Sequence, residues 1–379
     1  MEGERAGFVP ALDGVRGFAI LLVLVLHFSA YGHELPRSGL LIDQLYYRVA
    51  AAGWIGVDLF FVLSGFLITG ILYDAKGSPH YFRNFYIRRT LRIFPLYYGA
   101  LILFLVIFPL LWPNHGGLRS MQNDGWWYWT YLSNVKIAMD GWPQFGAIGH
   151  FWSLAVEEQF YLLWPLLVLA FRRRQLQMIC LICIVVALAA RVVLNIRGNN
   201  PAAFVFTPAR MDALAAGAYV ALAARGTEGL RSLARFALPG AALMVVLAMV
   251  IVALRNGFAA YDPLVSTIGH TAIALLFAAV LVLVLTLSRE TLLVRVFNST
   301  PLRFFGRYSY GIYVFHHPLL FLFSGVVPLA LIPTVLGSQL LRQAVFIVIA
   351  TAVTTALALL SWHLVEKRFL MLKVHFPTR

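Results

Sequence analysis

The chain has 379 residues, of which 61% are hydrophobic and only 12% charged. A water-soluble domain carries roughly a quarter of its residues as charged ones, so this composition excludes a soluble globular fold. The net charge of +14 sits between apolar runs, where it orients a membrane protein and argues against nucleic-acid binding.

Apolar runs fall near 11–30, 54–74, 93–112, 150–170, 177–195, 210–224, 234–254, 265–288, 309–330 and 341–364. A spanning helix needs about 20 mostly apolar residues. The runs therefore predict an all-α polytopic membrane bundle of about ten transmembrane helices, in a single domain covering 1–379. The first run follows Arg5 and Arg16 like a signal peptide. It lacks a small-residue cleavage site, so it reads as a retained helix. With the N-terminus inside, most of the 30 Lys and Arg residues fall on the cytoplasmic side. That predicts both termini cytoplasmic. Trp126, Trp127, Trp129 and Trp142 lie in the long outer segment 113–149 and suit the membrane interface. Cys180 and Cys183 form a C-x-x-C pair inside an apolar run and read as packing residues, with no metal site expected.

Ionisable groups inside a span are expensive and point to function. In the first run Arg16 and His27 are eleven residues apart and share a helix face, ~16 Å apart along the axis. Asp13 is placed to pair with Arg16. Spacing leaves two readings open: an anchoring arginine with a packing histidine, or a functional couple. Asp58, near the outer end of the second run, is either interfacial or the carboxylate that holds His27 in one tautomer.

Further along, Arg88, Arg89 and Arg92 form one cationic helical surface on the cytoplasmic side. It is either a positive-inside anchor or a phosphate site. The stretch from His150 through Trp152 to Glu157 and Glu158 opens a span with two adjacent carboxylates. A helix N-terminus accounts for one of them better than two. Arg210 and Asp212 suit an outer-end ion pair that closes on a substrate. His316 is expected in the inner half of its span.

These patches, in this order, resemble the acyltransferase-3 family of membrane acyltransferases. The resemblance rests on Leu12-Asp13-Gly-Val-Arg16-Gly through His27, on Gly56-Val-Asp58-Leu-Phe-Phe-Val-Leu-Ser-Gly, and on Phe85-Tyr-Ile-Arg88-Arg89-Thr-Leu-Arg92. Phe151-Trp-Ser-Leu-Ala-Val-Glu157-Glu158-Gln-Phe-Tyr, Arg210-Met-Asp212 and Tyr308-Ser-Tyr-Gly-Ile-Tyr-Val-Phe-His316 follow. The chain departs from the pattern at His317, where Trp is frequent, and at Arg368 after Glu366-Lys367, where Pro is frequent.

The resemblance implies transfer of an acyl group, usually acetyl, from acyl-CoA to a hydroxyl. The acceptor would be a sugar of a surface polysaccharide or glycolipid, at the inner membrane. It also implies that Arg16 and His27 are required. Some members carry an appended soluble esterase-like domain, and none is expected here. On this reading His27 is the general base, with Asp58, Glu158 or neighbouring Glu157 orienting it. Arg88, Arg89 and Arg92 take the donor's phosphates, with Arg16 and His316 deeper on the donor side. Arg210, Asp212 and Trp152 fall on the acceptor side. Acyl-CoA is a co-substrate, and no permanent cofactor or nucleic acid is expected. The rival readings are a transporter without chemistry and a haem protein using His27, His316 or His363.

Overall fold

The computed structural model describes residues 9–30, 38–143, 145–326 and 332–377. Arg5, Arg37 and Arg379, which entered the charge bias, and the end of the run at 309–330 lie outside the described residues. Ten long helices organise the chain. They are α1 (Pro10–Ala30), α2 (Ile55–Asp74), α3 (Tyr81–Ile102), α4 (Trp152–Ala170) and α5 (Arg173–Ile196), then α6 (Thr207–Ala224), α7 (Arg231–Arg255), α8 (His270–Thr286), α9 (Thr300–Val326) and α10 (Leu340–Ser361). The architecture is an all-α polytopic membrane bundle.

Eight helical segments among the described residues are long and apolar enough to cross a membrane. The expected runs at 210–224 and 309–330 are the exceptions. Both are helical, as α6 and α9, but their arginines, tyrosines and histidines lower their apolarity. Thirteen of the 18 residues of α6 are buried and none is fully exposed, and a helix walled by protein need not dissolve in lipid. By contrast, α5 and α7 expose Met178, Val185 and Ile196, and Leu243, Val246 and Met249. Apolar surface on that scale is stable against hydrocarbon, not water. Cys180 and Cys183 are unpaired in α5, and Cys180 is buried.

Two helices begin earlier than their apolar runs. The run near 93–112 is entered from Tyr81, so the arginine cluster is the first half of α3 itself. The run near 309–330 is entered from Thr300. Hydropathy marks contact with lipid, whereas arginine and tyrosine turns stay helical on backbone propensity.

Glycines set the central crossings. A Cβ at Gly17 would stand 1.9 Å from the Leu302 carbonyl oxygen, and one at Gly306 would stand 1.7 Å from that of Asp13. The backbones of α1 and α9 therefore touch, as small residues allow in membranes. Gly65 of α2 and Gly217 of α6 make a second such contact, against Leu214 and Val62. Changing Gly17 to Ala should lower stability by about 1–3 kcal/mol, because backbone cannot move aside as a side chain can. Thermal unfolding in detergent checks this; an unchanged midpoint would refute the close crossing.

Candidate active site

The α1–α9 crossing also sets the register of the site. The two helices run in parallel, with Gly14 against Phe297 and Gly17 against Leu302 and Gly306. His27 is ten residues beyond Gly17, and His316 is ten beyond Gly306. Equal climbs of ~15 Å bring the two to one level. Their ring centroids are 4.9 Å apart. This corrects the expectation for His316. It lies past the middle of α9, beside His27, and not at the arginine end. The helix begins at Thr300, nine residues before the apolar run.

Two more histidines complete the group. His317 lies 4.9 Å from His27, and His150 lies 4.9 Å from His316 and 5.1 Å from His317, between ring centroids. His150 comes from the 3-10 turn Gly149–Phe151 that leads into α4. Nδ1 of His27 donates to the Val23 carbonyl at 3.0 Å, that of His316 to Tyr313 at 2.6 Å, and that of His317 to Ala147 at 3.2 Å. A carbonyl can only accept, so each Nδ1 carries the proton, and in the neutral rings of His27 and His316 Nε2 is left as the acceptor. Among the described residues, no group of three or more His, Cys, Asp or Glu side chains is arranged to hold a metal ion.

Below the histidines lies a cavity of about 300 Å³. Arg16 of α1, Arg89 and Arg92 of α3, and Glu157, Glu158 and Tyr161 of α4 line it. Ser64 of α2, Ser153 of α4, and Ser309, Tyr310 and Tyr313 of α9 add hydroxyls. Arg16 pairs with Asp13 at 2.7 Å. Arg89 lies over the Tyr161 ring, 5.9 Å from its centroid. Neither Arg89 nor Arg92 forms a hydrogen bond or ion pair among the described residues, which leaves both forks open to a ligand. Glu158 Oε1 is buried without a partner. Tyr313 and Ser153 form the wall nearest the histidines. Their hydroxyls are 2.5 Å apart and lie 3.0 and 3.2 Å from the His150 carbonyl, so, with one proton each, one of them donates to the other and the other to the carbonyl. The cavity stops at this wall; His27 does not line it.

Several expected site residues stand elsewhere. Arg88 points away from the cavity and donates to the carbonyls of Lys373 and Phe376 at 3.0 and 2.9 Å. It is one residue from Arg89, and adjacent residues on a helix face different sides. Asp58 does not orient His27. It accepts from Arg210 Nη2 at 2.6 Å, with both side chains buried. Glu157 and Glu158 line the cavity and are not among the hydrogen-bond partners of His27.

Arg210 and Asp212 do not pair with each other. They are two residues apart on α6 and so face different neighbours. Asp212 pairs with Arg191 of α5 at 2.8 Å and accepts from Thr271 of α8 at 2.9 Å. Arg210 also bonds His270 of α8 and lies over the rings of Phe61, Trp152 and Phe204. Trp152 is 3% exposed and belongs to this aromatic box. His270 stacks on Trp54, centroids 4.2 Å apart.

Sequence reasoning did not assign His150, His317, Tyr313 or Ser153 to the site. His150 opens the Glu157-Glu158 motif and His317 follows His316, so both were visible. Nothing in chain spacing joins them to His27.

Comparison with known proteins agrees with the sequence motifs. The family described as Acyltransferase domain matches residues 9–363. Peptidoglycan O-acetyltransferase OatA of Listeria monocytogenes is 28% identical over 362 residues, covering 90% of this chain and 54% of that protein. O-acetyltransferase OatA of Staphylococcus aureus is 25% identical over 345 residues, covering 83% of this chain and 51% of that protein. The chain thus spans about half the length of the curated relatives it matches. No solved structure matches it. With its motifs in order and the match running from residue 9 to 363, the chain belongs to the acyltransferase-3 family of integral membrane proteins.

Proposed function

We propose that this chain moves an acyl group from acyl-CoA to a hydroxyl of a sugar in a surface polysaccharide or glycolipid, at the inner membrane. The observation that carries the reading is one cavity with three guanidinium groups, whose far wall abuts a buried set of histidines. The arginine end faces the cytoplasm and receives the donor. Arg89 and Arg92 take phosphate oxygens, and the pantetheine arm extends past the Tyr313–Ser153 wall, which has to part, to bring the thioester to His27. At the other end His27 is only partly buried, unlike His150 and His316, so an acceptor hydroxyl can reach it. Its Nε2 lone pair removes the hydroxyl proton as oxygen attacks the thioester carbon. The naming of the relatives favours an acetyl group and a glycan acceptor.

The test is thioester consumption by the purified protein in nanodiscs, with acetyl-CoA and glycan fragments. Acceptor-dependent thiol release is expected. Its absence across peptidoglycan and other surface glycans would overturn the reading in favour of transport without chemistry. Changing both Arg89 and Arg92 to Ala should weaken acyl-CoA binding about 10- to 100-fold, since charge-assisted hydrogen bonds contribute about 1.5–3 kcal/mol each. Unchanged affinity would mean that these arginines only anchor the helix.

A further inference from the structure

The general base of an acyl transfer needs somewhere for its proton to go. In the common triad a buried carboxylate stabilises the imidazolium. Here no carboxylate or guanidinium is bonded to His27, His150 or His316 among the described residues. Among the described residues the rings against His27 are the imidazoles of His316 and His317.

Counting protons sharpens this. Four neutral imidazoles carry four N–H groups between them. Three are committed to the carbonyls of Val23, Tyr313 and Ala147. The fourth belongs to His150, whose Nδ1 and Nε2 are both buried without a partner, as is Nε2 of His316. The group is therefore rich in buried lone pairs and poor in protons. Unpaired polar atoms at such depth are costly, and one added proton would give the group a donor that it lacks.

The rings also pack against one another. His27 is 4.9 Å from His316, and His316 is 4.9 Å from His150. His150 is 5.2 Å from the Tyr313 ring. The Tyr313 hydroxyl bonds that of Ser153, and both line the arginine cavity. The titratable groups facing His316 are His27 from α1, His150 from the turn before α4, and Tyr313 and His317 on its own helix.

We infer that His316 and His150 carry the reaction's proton, linking His27 on the acceptor side to the Tyr313–Ser153 wall of the donor cavity. This rests on the acyl-transfer reading above. The acceptor oxygen forms its bond to the acyl carbon and gives its proton to His27 Nε2. The carbon–sulfur bond breaks, and the electron pair leaves on the CoA thiolate. The proton passes from His27 to His316 and His150, then through the hydroxyl pair to the thiolate as it withdraws into the cavity. One proton leaves the hydroxyl and one reaches the thiol, so no outside acid or base is needed. His316 and His150 are positioning residues in this scheme, because each acts through His27.

Glutamine at either position keeps hydrogen bonding but cannot hold the proton. His316→Gln and His150→Gln should each lower kcat about 100-fold, with KM for acetyl-CoA within about two-fold of wild type. The pH profile of kcat should lose an ionisation that the wild type shows, while unfolding temperatures stay close to wild type. The two residues sit on different elements, so one variant suffices if the other fails to fold. An active wild type whose folded variants keep its kcat and pH profile overturns the relay alone. A wild type that consumes no thioester overturns the donor assignment, and the relay with it.

Discussion

Replacing His27 by Gln should lower acyl transfer by about 10²- to 10⁴-fold, the usual contribution of a positioned general base. The expectation rests on tautomer and access. The Val23 carbonyl holds the Nδ1 proton, which turns the basic Nε2 away from its own helix. The residue is not fully buried, whereas His316 is. Glutamine fills similar space but offers no basic nitrogen. Binding of acyl-CoA should survive, because the cavity ends at Tyr313 and Ser153 and His27 does not line it. The measurement is thiol release under saturating donor, with donor affinity determined separately. A folded variant turning over at the wild-type rate would remove His27 from the chemistry.

The second large effect concerns stability. Arg210 is 0% exposed, and its guanidinium is enclosed by Phe61, Trp152 and Phe204 while it bonds Asp58 at 2.6 Å. Removing one partner of such a pair leaves a charge in an apolar box. Asp58→Asn or Arg210→Met alone should cost about 3–5 kcal/mol. Removing both charges together, as Asp58→Leu with Arg210→Met, should recover much of that loss, since neither desolvated ion remains. Unfolding in detergent, run as a double-mutant cycle, reads this directly. Equal losses in the double and single variants would show that the hydrogen bonds to α8, and not the charge balance, carry the stability. The pair ties α2 to α6, and Arg191 with Asp212 ties α5 to α6. The acidic and basic residues of α6 are thus mortar within the bundle.

The sequence alone determined the class of protein and most of its helices. Apolar runs of about 20 residues between basic segments leave few alternatives to a membrane bundle. Motif order along the chain identified the family. It also marked Arg16, Arg89, Arg92, Glu157 and Glu158, which do share one cavity. That much is legible because composition and i, i+3 or i, i+4 spacing are properties of a single helix.

Partnership between helices is not. Asp58 reads as a neighbour of His27 by depth, but depth says nothing about which way a side chain faces around the helix axis. Only the α2–α6 packing turned it toward Arg210. Arg210 and Asp212 look like a pair because they are close in sequence, and helical geometry sends them to different neighbours. Hydropathy rises only at Ser309, nine residues into α9, which by itself makes His316 read as shallow. The glycine contact of α1 with α9 fixed the true register and raised it to the level of His27. The four histidines, from positions 27, 150, 316 and 317, become one group only when three separate segments are packed. Long-range packing of that kind decided the centre of the site, because a local pattern carries no information about the angle and register at which helices meet.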